Sequence, residues 1–368
     1  MSLAGALIRG IGTAVPPHGI LQEKTAEMAK ALNCRTPEEE KFLISLYRKS
    51  KVEHRYSVFS EHDSPQSFTN FFNHRKPGDP APGTADRMDC YRIQAPELAE
   101  KSSREALSNS AVSAADITHL VTVSCTGFYA PGFDVELIRR LGLRADIART
   151  HVGFMGCHGV FNGLRVAAAL AKESPSHRVL LCAVEICSIH FASGWDKERI
   201  VANALFADGS AACVVSADLG QGDLGGWEIR HQGSCVFPAS QEAMSWAIGD
   251  EGFEMGLSPL IPDLIRRNVP EWLDRWLGQQ GLSRAAVKTW AVHPGGPKVL
   301  DGMISALSLV DEQVSVSRGV LASYGNMSSA TILFILRELF ATRVEGPLLA
   351  LGFGPGLTVE SALLTRVR

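Results

Sequence analysis

Short apolar runs alternate along the chain with stretches in which apolar residues recur every three or four positions, the pattern of buried strands interleaved with amphipathic helices. The clearest passage is residues 150–170, THVGFMGCHGVFNGLRVAAAL. There an apolar strand runs through a glycine into Cys157, and a helix follows with Val160, Leu164, Ala167 and Ala168 on one face. In chain order, residues 7–15 read as a first strand, 24–32 as a helix, 37–56 as a charged helix and 91–109 as another. Residues 116–124 and 177–185 read as strands with a helix at 134–141 between them. The stretch 57–88 is rich in Pro, Gly, His and Phe and lacks a period, so it reads as a surface loop with Phe68, Phe71 and Phe72 packed down.

The pattern also repeats. A strand ending VTVSCTG precedes Cys157 by nearly the interval at which a strand ending WAVHPGG precedes Asn326, and each block closes on a glycine-rich apolar strand, LFADGSAACVVSAD and LLALGFGPGLTVESALL. The chain therefore reads as two related halves, residues 1–226 and 227–368, whose functional residues meet where the halves face each other.

The order strand, glycine, Cys157, helix predicts a cysteine at a helix N-terminus, where unpaired N–H groups and the positive end of the dipole favour a nucleophilic thiolate near neutral pH. A nucleophile of this kind needs a base and an oxyanion partner. His293, at the end of the strand Thr289–Val292 before a Pro-Gly-Gly turn, supplies an imidazole that titrates near neutrality. Asn326 follows Gly325 at the head of a helix patterned Ile332, Ile335, Leu336 and Leu339, the place Cys157 holds in its own half; as a plain N-cap it has a structural reading too.

Composition narrows the class. At 368 residues, with 45% hydrophobic and 20% charged content, the chain is an ordinary globular protein too long for one core. A net charge of −3 makes no case for nucleic acid or a membrane surface, and no run is long and apolar enough for a span or a secretory leader. The eight cysteines form no C-x-x-C pair and fall mostly in apolar strands, which predicts reduced thiols, no metal site and a cytoplasmic location.

GCHG around Cys157, HPGGP around His293, YGNMSSA around Asn326 and GFGPGLTVE near the C-terminus together resemble a type III polyketide synthase, the group that includes chalcone and stilbene synthases. The resemblance spans essentially the whole chain, from IRGIGTAVPP at residues 8–17 onward. It implies an α/β, thiolase-like five-layer αβαβα fold made of two pseudo-duplicated halves, a homodimer, and decarboxylative condensation of malonyl-CoA onto an acyl group carried by Cys157. His293 and Asn326 would hold the thioester oxygen, with acyl-CoA and malonyl-CoA as substrates and no cofactor. It further implies a pocket lined by Cys125, Thr126, Cys187, Ile189, Trp246, Met255 and Ser328, with Phe206 at its mouth and Ala130 reaching into the partner's cavity. The segment Gly352, Phe353, Gly354, Pro355 and Gly356 becomes a loop for cyclisation. Lys49, in the family's K-S position, with Arg48, Gly295 and Gly296, becomes the CoA entrance. His190 reads as a core or pocket-lining histidine.

Met255 departs from the family, standing where plant enzymes carry a second gatekeeping phenylalanine, and Trp246 fills room that plant enzymes leave open. A narrow apolar channel predicts a fatty acyl starter and an alkylpyrone or alkylresorcinol type product. The alternatives are an aromatic starter, a ketoacyl-ACP synthase III-like condensing enzyme, and an inactive acyl-binding scaffold. A hydroxymethylglutaryl-CoA synthase would want a glutamate base beside Cys157, and the sequence offers none on that side.

Overall fold

The computed structural model describes residues 5–59, 71–72, 82–217, 225–342 and 346–367. The first half runs β1 (Ala6–Ala14), β2 (Gly19–Leu21), α1 (Gln22–Asn33), α2 (Pro37–Lys49), β3 (His54–Tyr56), α3 (Thr84–Ser110), β4 (His119–Ser124), α4 (Phe133–Leu141), β5 (Ala148–Gly153), α5 (Gly159–Glu173), β6 (Arg178–Ile186), α6 (Lys197–Leu205) and β7 (Asp208–Ser216). The second runs β8 (Gly226–Val236), β9 (Met244–Gly249), β10 (Gly252–Leu257), α7 (Ile261–Gln279), β11 (Thr289–Val292), α8 (Pro297–Leu307), α9 (Ser315–Tyr324), α10 (Thr331–Ala341), β12 (Leu348–Gly354) and β13 (Thr358–Val367).

Nine strands hydrogen-bond in the order β11-β12-β13-β8-β1-β7-β6-β4-β5. Apart from the edge strand β5, which has no counterpart, the two flanks of this order correspond strand for strand. β4 lies parallel to β6, which pairs antiparallel with β7 and β7 with β1; β11 lies parallel to β12, which pairs antiparallel with β13 and β13 with β8. The antiparallel pair β1–β8 joins the flanks.

Side-chain alternation along these strands builds the layers. Val121, Leu181, Cys213, Ala350 and Leu364 face a central core with Val160 and Leu164 of α5 and Ile332 to Leu336 of α10. Their neighbours Leu120, Leu180 and Val214 face α3 and α4, while Leu349, Leu351 and Leu363 face α7 and α8. The order is helices, sheet, helices, sheet, helices, the thiolase-like αβαβα fold expected. The run TILFIL of α10 is buried at every position, as its unbroken apolar sequence requires of an enclosed helix. Gly163 lets α5 lie close on the sheet, since a Cβ there would fall 2.7 Å from Leu181 Cδ1 and 2.8 Å from Val123 Cγ2.

Several boundaries differ from the sequence reading. The charged helix starts at Pro37 as expected, with a reciprocal capping box between Thr36 and Glu39, but stops at Lys49. Lys51 adopts φ of 59°, and residues 54–56 then pair with 19–21 as a strand. The helix expected from residue 91 begins at Thr84, inside the stretch read as a loop. Most of the rest of that stretch, Phe68 included, lies outside the described residues; Phe71 and Phe72 pack against Phe59 with ring centroids 4.9 and 5.4 Å away. The segment expected to be a cyclisation loop is mostly strand: Gly352 to Gly354 complete β12, and only Pro355 and Gly356 belong to the turn before β13.

Candidate active site

The two middle-layer helices each begin through a 3-10 turn, Gly156–His158 before α5 and Ser328–Ala330 before α10. These turns meet. Ser328 Oγ donates to Cys157 Sγ at 3.6 Å and lies 3.0 Å from Cys125 Sγ. Gly156 is required where it stands: its φ is 73°, and a Cβ would fall 2.3 Å from Pro355 Cδ.

Asn326 is not a helix cap. It is held in an extended bridge to Phe206, its N–H donating to Leu205 O at 2.8 Å and its C=O accepting from Ala207 N at 2.9 Å. Its Oδ1 accepts from Ser328 N at 2.9 Å, which turns Nδ2 away from the backbone. His293 leaves β11 with its N–H on Leu351 O at 2.8 Å. Asn326 Nδ2 and both ring nitrogens of His293 are buried without a hydrogen-bond partner among the described residues. Buried polar groups are nearly always paired, so three orphans on Asn326 and His293 mark a place built for another molecule's polar atom.

Electrostatics corrects the simple helix-terminus picture. Cys157 is enclosed, and burial pushes its thiol up to about 11, although the Ser328 hydroxyl and the Asn326 amide favour the thiolate. Burial, with His158 nearby, pushes His293 down to about 3. Loss of water outweighs the helix terminus, so each group alone is neutral at rest.

A buried carboxyl was not foreseen. Glu185 of β6 accepts from the N–H groups of Cys125 at 3.1 Å and Thr126 at 3.1 Å, from Thr126 Oγ1 at 2.7 Å and from Ser329. Its pKa is raised by burial, and its negative charge raises that of Cys157 in turn. The signal was one acidic residue inside the apolar run LLCAVEIC. All its oxygens are occupied by donors, so it ties β4 to the Ser328–Ala330 turn and is not a free base.

Family models for the chalcone and stilbene synthases match nearly the whole chain, the N-terminal domain over residues 2–219 and the C-terminal domain over 228–368. The chain belongs to the chalcone and stilbene synthase family. It is 30% identical to the Mycobacterium tuberculosis protein named alpha-pyrone synthesis polyketide synthase-like Pks18, over 99% of this chain and 92% of that one. To type III polyketide synthase C of Arabidopsis thaliana it is 31% identical, over 98% and 94%. The C-terminal type III polyketide synthase domain of Steely1 from Dictyostelium superposes with a TM-score of 0.91 at 28% identity, covering 99% of this chain and 100% of that one. This member of the chalcone and stilbene synthase family is a type III polyketide synthase, an acyltransferase-type condensing enzyme.

Within this synthase, Cys157 opens on a small cavity lined also by Cys125, Gly156, Phe206, Met244, Trp246, Met255, Ser328 and Pro355. Phe206, Trp246 and Met255 form the wall it shares with a larger cavity that includes Met28, Ala29, Phe59, Cys187, Phe191 and Phe253. Trp246 and Met255 are cross-strand partners in the β9–β10 hairpin, and Trp246 Nε1 donates to Cys125 O at 2.7 Å. Thr126 and Ile189 stand outside both linings: Thr126 is committed to Glu185, and Ile189 is buried in the core against α3 and α4. Ala130 is exposed on the surface near Phe128. His190 is fully satisfied, Nε2 donating to Thr126 O at 2.6 Å and Nδ1 accepting from Phe253 N at 3.0 Å, with its pKa pushed down to about 3 by burial. Lys49 and Arg48 are exposed at the end of α2, and Gly295 and Gly296 form the turn before α8. Among the described residues no group of three or more His, Cys, Asp or Glu is placed to hold a metal, and no helix is long and apolar enough to cross a membrane.

Proposed function

We propose that Cys157 carries the acyl chain and that His293 and Asn326 hold the thioester oxygen of malonyl-CoA. The observation behind this reading is the set of buried donors without partners on the two residues: Asn326 Nδ2 and a ring N–H of His293. As Cys157 attacks a starter acyl-CoA, its proton passes to His293, CoA leaves as the thiol, and the acyl thioester forms. Malonyl-CoA then places its thioester oxygen on the two donors. CO2 departs, and the electron pair it leaves is delocalised as an enolate onto that oxygen, where the donors stabilise it. The enolate carbon attacks the Cys157 thioester and expels the thiolate. The lengthened chain, now on CoA, transfers back to Cys157 for another round. This chemistry calls for no metal or redox cofactor.

The starter in this reading is a fatty acyl-CoA, extended two or three times and released as an alkylpyrone or alkylresorcinol type product. Supporting it are the largely apolar second cavity behind Phe206, Trp246 and Met255, and the relative named for alpha-pyrone synthesis. CoA would enter past Lys49 and Arg48, with Gly295 and Gly296 allowing close approach of the backbone. The working form would be a homodimer: β5 is a sheet-edge strand exposed at most positions, and Phe128 beside Ala130 is 50% exposed.

The test is to incubate the enzyme with malonyl-CoA and acyl-CoAs of rising length alongside coumaroyl-CoA, and to identify products by mass. kcat/KM is expected to climb with chain length, by up to ~0.8 kcal/mol per buried CH₂. If coumaroyl-CoA outruns every fatty acyl-CoA, the starter is aromatic.

A further inference from the structure

His158 follows the nucleophile, yet its side chain points away from the sulfur into a polar network between the two halves. Nδ1 lies 3.1 Å from Asn162 Oδ1, one turn along α5, and Nε2 contacts Thr358 Oγ1 at the start of β13. Asn162 Nδ2 donates to Glu360 Oε1 at 3.2 Å, and Ser234 Oγ donates to the same oxygen at 2.7 Å. Arg165 pairs with Oε2.

With Asn162 Nδ2 committed to the Glu360 carboxylate, its Oδ1 faces Nδ1 of the ring. Burial lowers the pKa of His158 against the opposing pull of Glu360, so the ring is neutral. The charged groups facing the ring are therefore Glu360 from β13 and Arg165 from α5, with His293 near enough to be affected by it.

The same ring is pressed against the end of β12. A Cβ on Gly354 would fall 2.3 Å from His158 Cδ2, just as a Cβ on Gly156 would fall 2.3 Å from Pro355 Cδ. Two glycines, one on each side of the contact, let the nucleophile turn and the Gly354–Gly356 turn interlock. Thr358 Oγ1 also donates to Pro355 O at 3.2 Å, inside that turn.

We infer that His158 is a positioning residue, which clamps the Gly354–Gly356 turn through Thr358 and so sets the pocket wall, formed in part by Pro355, against which the growing chain folds. The inference rests on the polyketide-forming reading of this pocket. The clamp acts on the wall and not on the sulfur. Loosening it changes where the chain stops or closes while leaving Cys157 as reactive as before.

The experiment compares His158→Asn, which keeps a donor for Asn162 but cannot reach Thr358, with His158→Gln, which reaches Thr358. Thr358→Val removes the hydroxyl and Thr358→Ser retains it. Three quantities are read: the ratio of fully extended to early-released product, the rate of Cys157 alkylation by iodoacetamide, and hydrogen exchange of residues 352–358. Expected are a shift of up to about tenfold in product ratio and faster exchange in His158→Asn and Thr358→Val, the scale of one net hydrogen bond. Alkylation stays within about twofold of wild type. Thr358→Ser and His158→Gln restore most of the ratio, and the Asn/Val double variant is no worse than either single one. Unchanged ratio and exchange in both disruptive variants overturn the clamp. So does a parallel fall in alkylation, which would place the effect at the sulfur. Absence of product from the wild-type control would instead count against the polyketide reading, and hydrogen exchange would still decide the clamp.

Discussion

At the scale of single residues, Cys157 and His293 are pushed towards their neutral forms by the same cause, loss of water, and in the proposed mechanism His293 takes the proton of Cys157. Replacing His293 by Gln leaves the thiol with burial alone. Alkylation of Cys157 by iodoacetamide at pH 7.5 is then expected to slow by on the order of 10² and to rise steadily with pH. Alkylation as fast as in wild type would mean that His293 is not the proton acceptor. In the proposed mechanism Asn326 acts later in the cycle. Asn326→Ala should lose malonyl-CoA decarboxylation by ~10² or more while a single acyl-CoA still loads Cys157, as expected of one removed oxyanion donor. Loss of loading with decarboxylation intact would reverse the assignment. These residues were legible in the sequence because Cys157 and Asn326 each follow a glycine and precede a helix-patterned run, while His293 ends the apolar run Thr289–Val292. Glu185 was not, because its partners Thr126 and Ser329 are remote in sequence and only the fold brings their donors to it.

At the scale of elements, strands buried on both faces read as continuous apolar runs, so β1, β4, β6, β7 and β11, with α5 and α10, match the sequence reading within a few residues. β8 and α7 to α9 have no counterpart in it, and β12 and β13 read as one block. The β9–β10 hairpin was not assigned. Its strands carry exposed Ala247, Ile248 and Glu254 beside buried Met244 and Phe253, so no clean alternation marks them. Yet register in this hairpin is what sets Trp246 opposite Met255 and presents both to the cavities. Trp246→Gly removes the indole and its bond to Cys125 O, merging the two spaces. The product profile is expected to gain at least one further extension or a bulkier starter, measured by mass with the wild-type starter panel. An unchanged profile would show that the indole does not limit the chain. The end of the charged helix was misplaced for a similar reason: charged positions continue to Arg55, whereas Lys51 turns the chain and Arg55 is drawn inside to Gln22 Oε1 at 2.6 Å.

Across the whole molecule, buried histidines make stability depend on pH. His190 and His293 have pKa values near 3 in the folded chain against about 6.5 unfolded, so the unfolded chain binds their protons more readily. Their contribution is complete above about pH 6.5 and is lost as pH falls towards 3, each by about 1.4 kcal/mol per pH unit. Asp208 works the other way. Burial raises it to about 6, so the folded chain binds its proton more readily between pH 6 and 4 and offsets one histidine. Urea midpoints at pH 7.5 and 5.0 should therefore fall in the wild type and fall less in His190→Gln, whatever that variant's starting stability. Equal falls would mean that His190 is not buried neutral.

The enclosed middle layer carries a consequence for how such an enzyme can change. Cys157 and the Ser328 turn are anchored to α5 and α10, which are packed between two sheets and cannot shift without disturbing both. Trp246, Met255 and Pro355 stand instead on a hairpin and a turn at the margin of those sheets. Substitutions that reshape the margin leave the reacting groups on unmoved supports. Chain length and ring closure can thus drift among descendants of one ancestor while bond formation is inherited intact.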